Sequence, residues 1–122
     1  MGDNTNQSRK IIGAKGEELA AEWLKMQGFD ILHRNWRTGR FETDIIATRE
    51  GRLHFIEVKT RRSDRYGLPE RQVDRKKLDR MIDAGSEYIR RHPQWRWIRF
   101  DIIAVRLYDN APAQIDHIED LY

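Results

Sequence analysis

Leu53-His54-Phe55-Ile56-Glu57-Val58-Lys59 is the stretch on which the fold turns. Successive side chains alternate across a strand, so Leu53, Phe55, Glu57 and Lys59 share one face while Ile56 and Val58 take the other. Apolar residues on both faces mark a central strand covered on both sides. A carboxylate and an ammonium at the end of such a strand must be paired, solvated in a cleft or bound to a ligand, because a lone buried charge is costly.

The preceding segment repeats the pattern. Glu42, Asp44 and Ile46 point one way, and Thr43, Ile45 and Ala47 the other. Glu50-Gly51 is a turn signal, and a hairpin through it brings Asp44 near Glu57 at one end of the sheet. Two carboxylates that close repel unless a cation lies between them. An all-oxygen ligand set suits a hard divalent ion, Mg2+ or Mn2+.

Upstream, residues 12–27 read as a helix closed by Gly28. Leu19, Ala20, Ala21, Trp23, Leu24 and Met26 form its apolar arc, opposite Glu18, Glu22 and Lys25. Glu17 falls inside the apolar arc, in line with Ala21 and Leu24, from where a third carboxylate can reach the same cleft. Taken singly, each charge has a plain structural account: a salt bridge for Glu57 and Lys59, a favourable helix N-terminus for Glu17. Three acids and a lysine breaking the apolar pattern together point to function.

The rest of the chain completes one fold. Strands are predicted at residues 30–36, 42–48 and 52–60, with a further turn at Thr38-Gly39. Residues 61–73 read as a loop. A second helix follows over residues 74–91, with Asp74 as its N-cap, one apolar face (Leu78, Met81, Ile82, Gly85, Tyr88, Ile89) and a stop at His92-Pro93. Strands close the chain at residues 97–106 and 114–118. The fold class is α/β, of mixed α+β type: an antiparallel meander, then a helix and a strand free to pair in parallel, giving a mixed sheet of four to five strands flanked by helices. A flexible polar segment, residues 1–10, precedes a single domain over residues 11–122.

At 122 residues the chain can bury one core. The absence of cysteine excludes disulfides, thiolate zinc sites and cysteine nucleophiles. His33, His54, His92 and His117 are scattered, with no pair at ligand spacing on a helix, so no histidine zinc site is expected. With no apolar leader and no run near the ~20 residues of a membrane span, the cytoplasm is the expected compartment. Net charge is +3, but four acids and no Lys or Arg lie in residues 108–122, leaving +7 on the remainder. So basic a body suits a polyanionic partner.

Four motifs carry a family resemblance: Gly13-x-x-Gly16-Glu17-x-x-Ala20, Glu42-x-Asp44-Ile45-Ile46-Ala47, Phe55-Ile56-Glu57-Val58-Lys59-Thr60-Arg61 and Arg99-Phe100-Asp101. In this order they resemble the YraN family of small bacterial proteins, which look like relatives of archaeal Holliday-junction resolvases in the PD-(D/E)XK nuclease superfamily. The resemblance implies a restriction-endonuclease-like αβββαβ core. It implies that Asp44 and Glu57 bind metal with the Val58 carbonyl, that Lys59 is the catalytic lysine, and that Glu17 is the first-helix glutamate completing the outer ligand set. The implied activity is metal-dependent endonuclease cleavage of DNA, branched or junction DNA included, by an enzyme acting as a homodimer. One departure stands out: the family usually has Gly-Glu and then an apolar residue before the aspartate, where this chain reads Phe41-Glu42-Thr43-Asp44.

Around this site the chain is basic, with Arg34, Arg37, Arg40, Arg61, Arg62, Arg65, Arg75, Lys76 and Lys77. Of these, Arg37, Arg40, Arg61, Arg62, Arg65, Lys76 and Lys77 are the candidate nucleic-acid contacts, Arg61 first and Lys76 next, with DNA ahead of RNA. No base-reading motif is present, so backbone and shape carry recognition. Trp23 and Trp97 are expected in the core, Trp36 and Trp95 in the core or a stacking platform, and Asp101 paired with an arginine. Two other functions fit the same residues: a nucleic-acid-binding module without turnover, and an accessory subunit whose acidic tail docks a protein.

Overall fold

The computed structural model describes residues 5–62 and 75–121, with no side-chain description before Arg9. Helix α1 (Thr5–Met26) starts earlier than the sequence predicts. No Gly or Pro interrupts residues 5–12, and Gln7, Arg9 and Lys10 are good helix formers, so the helix extends back to Thr5. At its other end Phe29 N–H donates to the Leu24 carbonyl (2.9 Å) and Gly28 N–H to that of Lys25 (3.0 Å). Gly28 sits at φ 93°, the left-handed conformation this cap requires.

Strands β1 (Asp30–Thr38), β2 (Phe41–Arg49) and β3 (Arg52–Arg62) form the expected meander. The β2–β3 turn places Glu50 at φ 56° and Gly51 at φ 78°, the pair of left-handed residues that matches strand twist in a two-residue hairpin. Helix α2 (Arg75–Arg91) then crosses to β4 (Ile98–Leu107), which pairs with β3 in parallel, and β5 (Gln114–Ile118) adds antiparallel to β4. The five strands lie in chain order. This is the mixed sheet and αβββαβ order of a restriction-endonuclease-like core.

β3 is central and covered on both faces. Ala20, Ala21 and Leu24 of α1 pack with Ile45, Ala47, Ile56, Ile103 and Val105 on one side. On the other, Met81 and Tyr88 of α2 pack with Ile46, Leu53, Phe55 and Phe100. Trp23 joins the first cluster, and Trp36 and Trp95 the second, so these three rings serve the core. Trp97 does not: it is 70% exposed, because it precedes β4 and the apolar layer begins at Phe100. Met26 is likewise 76% exposed, at the last helical turn beyond Leu24. β3 runs on through Arg61 and Arg62, which the sequence assigned to a loop. Asp74, Arg65 and the other residues of 63–74 lie outside the described residues. No helix among the described residues is long and apolar enough to cross a membrane.

Candidate functional site

Asp44 and Glu57 meet where the β2–β3 ladder ends. The register runs from Arg49↔Arg52 to Ile45↔Ile56. One step further, Asp44 Oδ2 accepts the Val58 backbone N–H at 2.9 Å, so a side chain continues the ladder and pins the carboxylate beside Glu57. Both acids line a cleft of about 630 Å³ between the sheet and α2, together with Arg40, Phe41, Glu42, Lys77, Arg80, Met81 and Asp83.

Burial pushes the Asp44 carboxyl up, Glu57 and then Glu17 push it further, and the Val58 N–H and Lys77 oppose, leaving it at about 7. Glu17 of α1 thus contributes to the field on Asp44. Lys59 follows Glu57 by two residues on the same strand face and is half-buried; it lies outside the lining of the cleft.

Lys77 reaches the acids themselves. Read from sequence as a phosphate contact, it places Nζ 2.9 Å from Glu57 Oε2, with both side chains largely covered. The signal was present: Lys77 stands four residues before Met81, at the head of the buried stripe that continues through Ala84, Gly85 and Tyr88. Among the other basic candidates, Arg37 pairs with Glu42 (3.5 Å) and Arg62 with Asp109 (3.3 Å). Arg40 lies 5.4 Å over the Phe41 ring. Arg61 and Lys76 are exposed, and Arg34 ties β1 to α1 through Glu18 at 3.0 Å.

Thr43 is buried, and its Oγ1 is the one buried side-chain polar atom among the described residues without a hydrogen-bond partner. An unpaired buried hydroxyl costs about 1–3 kcal/mol. Thr43→Val is therefore expected to stabilise the protein by roughly 1 kcal/mol, read as a higher urea midpoint. A lower midpoint would show that the hydroxyl is satisfied.

Asp101 also departs from expectation. Its partner is not an arginine; Arg99 pairs instead with Asp120 at 2.7 Å. The buried Asp101 Oδ2 accepts from His54 Nδ1 (2.7 Å) and His117 Nε2 (2.8 Å), and Oδ1 accepts the Asp120 backbone N–H (3.0 Å). Burial alone pushes its carboxyl up, but the bonds from His117, His54 and Asp120 outweigh it and hold the group below the usual carboxylate range. Ligand atoms of His54, Asp101, His117 and Glu119 all lie within 4.8 Å of one another, a group that could hold a metal ion. Scatter along the chain hid this, because three neighbouring strands supply the residues. The usable signal was His54 itself, on the same face of β3 as buried Ile56, where a histidine needs a partner.

Residues 16–105 match the family described as uncharacterised protein family UPF0102. The chain is 42% identical over 111 residues to a UPF0102 protein of Phocaeicola vulgatus, covering 91% of each. It is 40% identical over 111 residues to one from Bacteroides thetaiotaomicron, again covering 91% of each. Over 98 residues it is 45% identical to one from Solibacter usitatus, covering 78% of this chain and 74% of that one. The chain belongs to the UPF0102 (YraN) family.

Proposed function

We propose that the protein is a metal-dependent endonuclease that hydrolyses phosphodiester bonds in DNA. The observation that carries it is the forced proximity of Asp44 and Glu57 at the mouth of one cleft, close enough for Glu57 to raise the Asp44 carboxyl, with Glu17 adding to the same field. Such a cluster of like charges is held together by fold, and its oxygen donors fit a hard divalent ion, Mg2+ or Mn2+. Asp44, Glu57 and the Val58 carbonyl would hold that ion, with Glu17 outside them. Bound there, the metal supplies an acidified water and neutralises charge developing on the phosphate.

The protein's own groups do the rest. Lys59 orients the attacking water or meets the charge on the phosphoryl oxygens. Arg40, Arg61 and Lys76 hold the backbone, without reading bases. The likeness to junction resolvases supports branched DNA as the substrate and a homodimer as the acting form. A DNA substrate implies that the protein acts in the cytoplasm.

The deciding experiment is a cleavage panel of junction, flap, duplex and single-stranded DNA with Mg2+ and with Mn2+, run beside Asp44→Asn, Glu57→Gln and Lys59→Ala. Cleavage by the native protein that these variants lose is the expected result. Undiminished cleavage by the variants refutes the assignment. Salt-sensitive binding without cleavage by native protein would point instead to a non-catalytic DNA-binding module, and protein capture through residues 109–122 without DNA affinity to an accessory subunit.

Lys77 has a distinct role in this scheme. Its ammonium occupies the Glu57 oxygen that a metal needs, so the two cations compete, and Lys77 turns toward the phosphate once displaced. Lys77→Met is expected to tighten Mn2+ binding about five-fold, roughly 1 kcal/mol, while lowering cleavage. Isothermal titration with Mn2+ reads the first effect directly. Weaker or unchanged binding would mean that Lys77 does not guard the acid.

A further inference from the structure

We infer that His54, Asp101, His117 and Glu119 form a second metal site, for a divalent transition ion of the zinc type. It is separate from the proposed active site. His54 lies three residues upstream of Glu57, and strand alternation puts it on the opposite, α1-covered face of β3. The donors come from β3, β4, β5 and the segment just after β5.

Three features favour an ion here. Two imidazole nitrogens converge on one carboxylate oxygen, at 2.7 and 2.8 Å, from side chains that are 3% and 7% exposed. Without an ion, both ring nitrogens point at Asp101 Oδ2; with one, the two nitrogens and the carboxylate would face the ion instead. Around a tetrahedral ion at ~2.0–2.1 Å the donor atoms stand roughly 3.3 Å apart, so these contacts open by about half an ångström.

Supporting groups already hold the donors. The Asp120 backbone N–H fixes the second Asp101 oxygen, and Phe29 and Trp23 pack edge-on against the imidazoles. Orientation of ligands by neighbours of this kind is common at metal sites. Finally, Glu119 is half-exposed and only loosely engaged by Arg49 at 3.9 Å. With His54 it lines a cleft of about 280 Å³ rimmed by Arg49, Arg52 and Arg99, which gives an ion a path from solvent. Two carboxylates and two neutral imidazoles balance a divalent charge, and imidazole donors select zinc-type ions over magnesium.

The test uses full-length Asp44→Asn protein, so that binding at the other acids is weakened. Titrated with Zn2+ by calorimetry, and with Co2+ by visible absorption, it should bind one equivalent. The cobalt complex should show the intense visible bands of a low-coordinate nitrogen–oxygen site. Adding His117→Gln, or Glu119→Gln at the exposed rim, should weaken Zn2+ binding at least ~10-fold. No bound equivalent in Asp44→Asn overturns the proposal and leaves a hydrogen-bonded anchor for β5. An equivalent that neither added substitution weakens overturns it too.

Discussion

Asp44→Asn is expected to reduce metal-dependent cleavage by about 10³-fold or more, since a metal site contributes several kcal/mol to the transition state, and yet to stabilise the metal-free protein. The second effect follows from the pKa. Asp44 titrates at about 7 in the fold, against 3.8 ordinarily. The folded state therefore keeps a proton that the unfolded chain gives up. Stability is fully present below about pH 4 and falls as pH rises toward 7, because the fold must then either hold a proton against the solvent or bury a charge. Above pH 7 the penalty levels off at roughly 4 kcal/mol, three units at 1.36 kcal/mol each, as an upper bound.

Asparagine carries no such penalty. Urea midpoints without divalent ions should favour Asp44→Asn at pH 8 and converge with the native protein near pH 4. Added Mg2+ should then raise the midpoint of the native protein at pH 8 and leave the variant unmoved. A variant no more stable than native at pH 8 would mean that Asp44 is not held against its neighbours.

Gly16→Ala should cost about 1–3 kcal/mol, although alanine normally favours a helix by up to ~1 kcal/mol over glycine. A Cβ at Gly16 would fall onto Thr60 Oγ1, and would lie 2.7 and 2.8 Å from Thr60 Cβ and Cγ2. Helix α1 thus crosses β3 at a point where only a hydrogen fits. Adding Thr60→Gly should recover most of the loss, whereas Thr60→Ala keeps the closest carbon in place. Glu17 is the next residue, so any sliding of α1 that relieves the clash also displaces an acid of the site, and cleavage should fall further than stability does. A native urea midpoint for Gly16→Ala would show that the crossing has slack.

Where the sequence could be read correctly, one element carried the pattern. Alternation within 42–47 and 53–59 put Asp44 and Glu57 on their strand faces, and the short turn left one way to join them. Helical phase put Glu17 on the α1 face that turns toward the sheet, where it adds to the field on Asp44. The differences at the two side-chain clusters needed a second element whose position no local period reports. The pairing of Lys77 with Glu57 could be seen only once α2 was laid over the sheet. Asp101, His54 and His117 meet only because β4 inserts between β3 and β5, an order that face patterns leave open. Trp97 failed differently: its apolar neighbours suggested burial, but the core layer stops short of it.

The tight turn at Glu50-Gly51 also has a bearing on the order of folding. A two-residue hairpin closes in microseconds, long before β4 can reach β3 across α2, because distant pairings must first overcome loop-closure entropy. Asp44 and Glu57 are accordingly neighbours while still wet, where water and salt screen them and their repulsion is small. The opposition grows only as α1 and α2 dock and expel solvent, so the slow late step of folding, rather than the early one, is where a divalent ion should act.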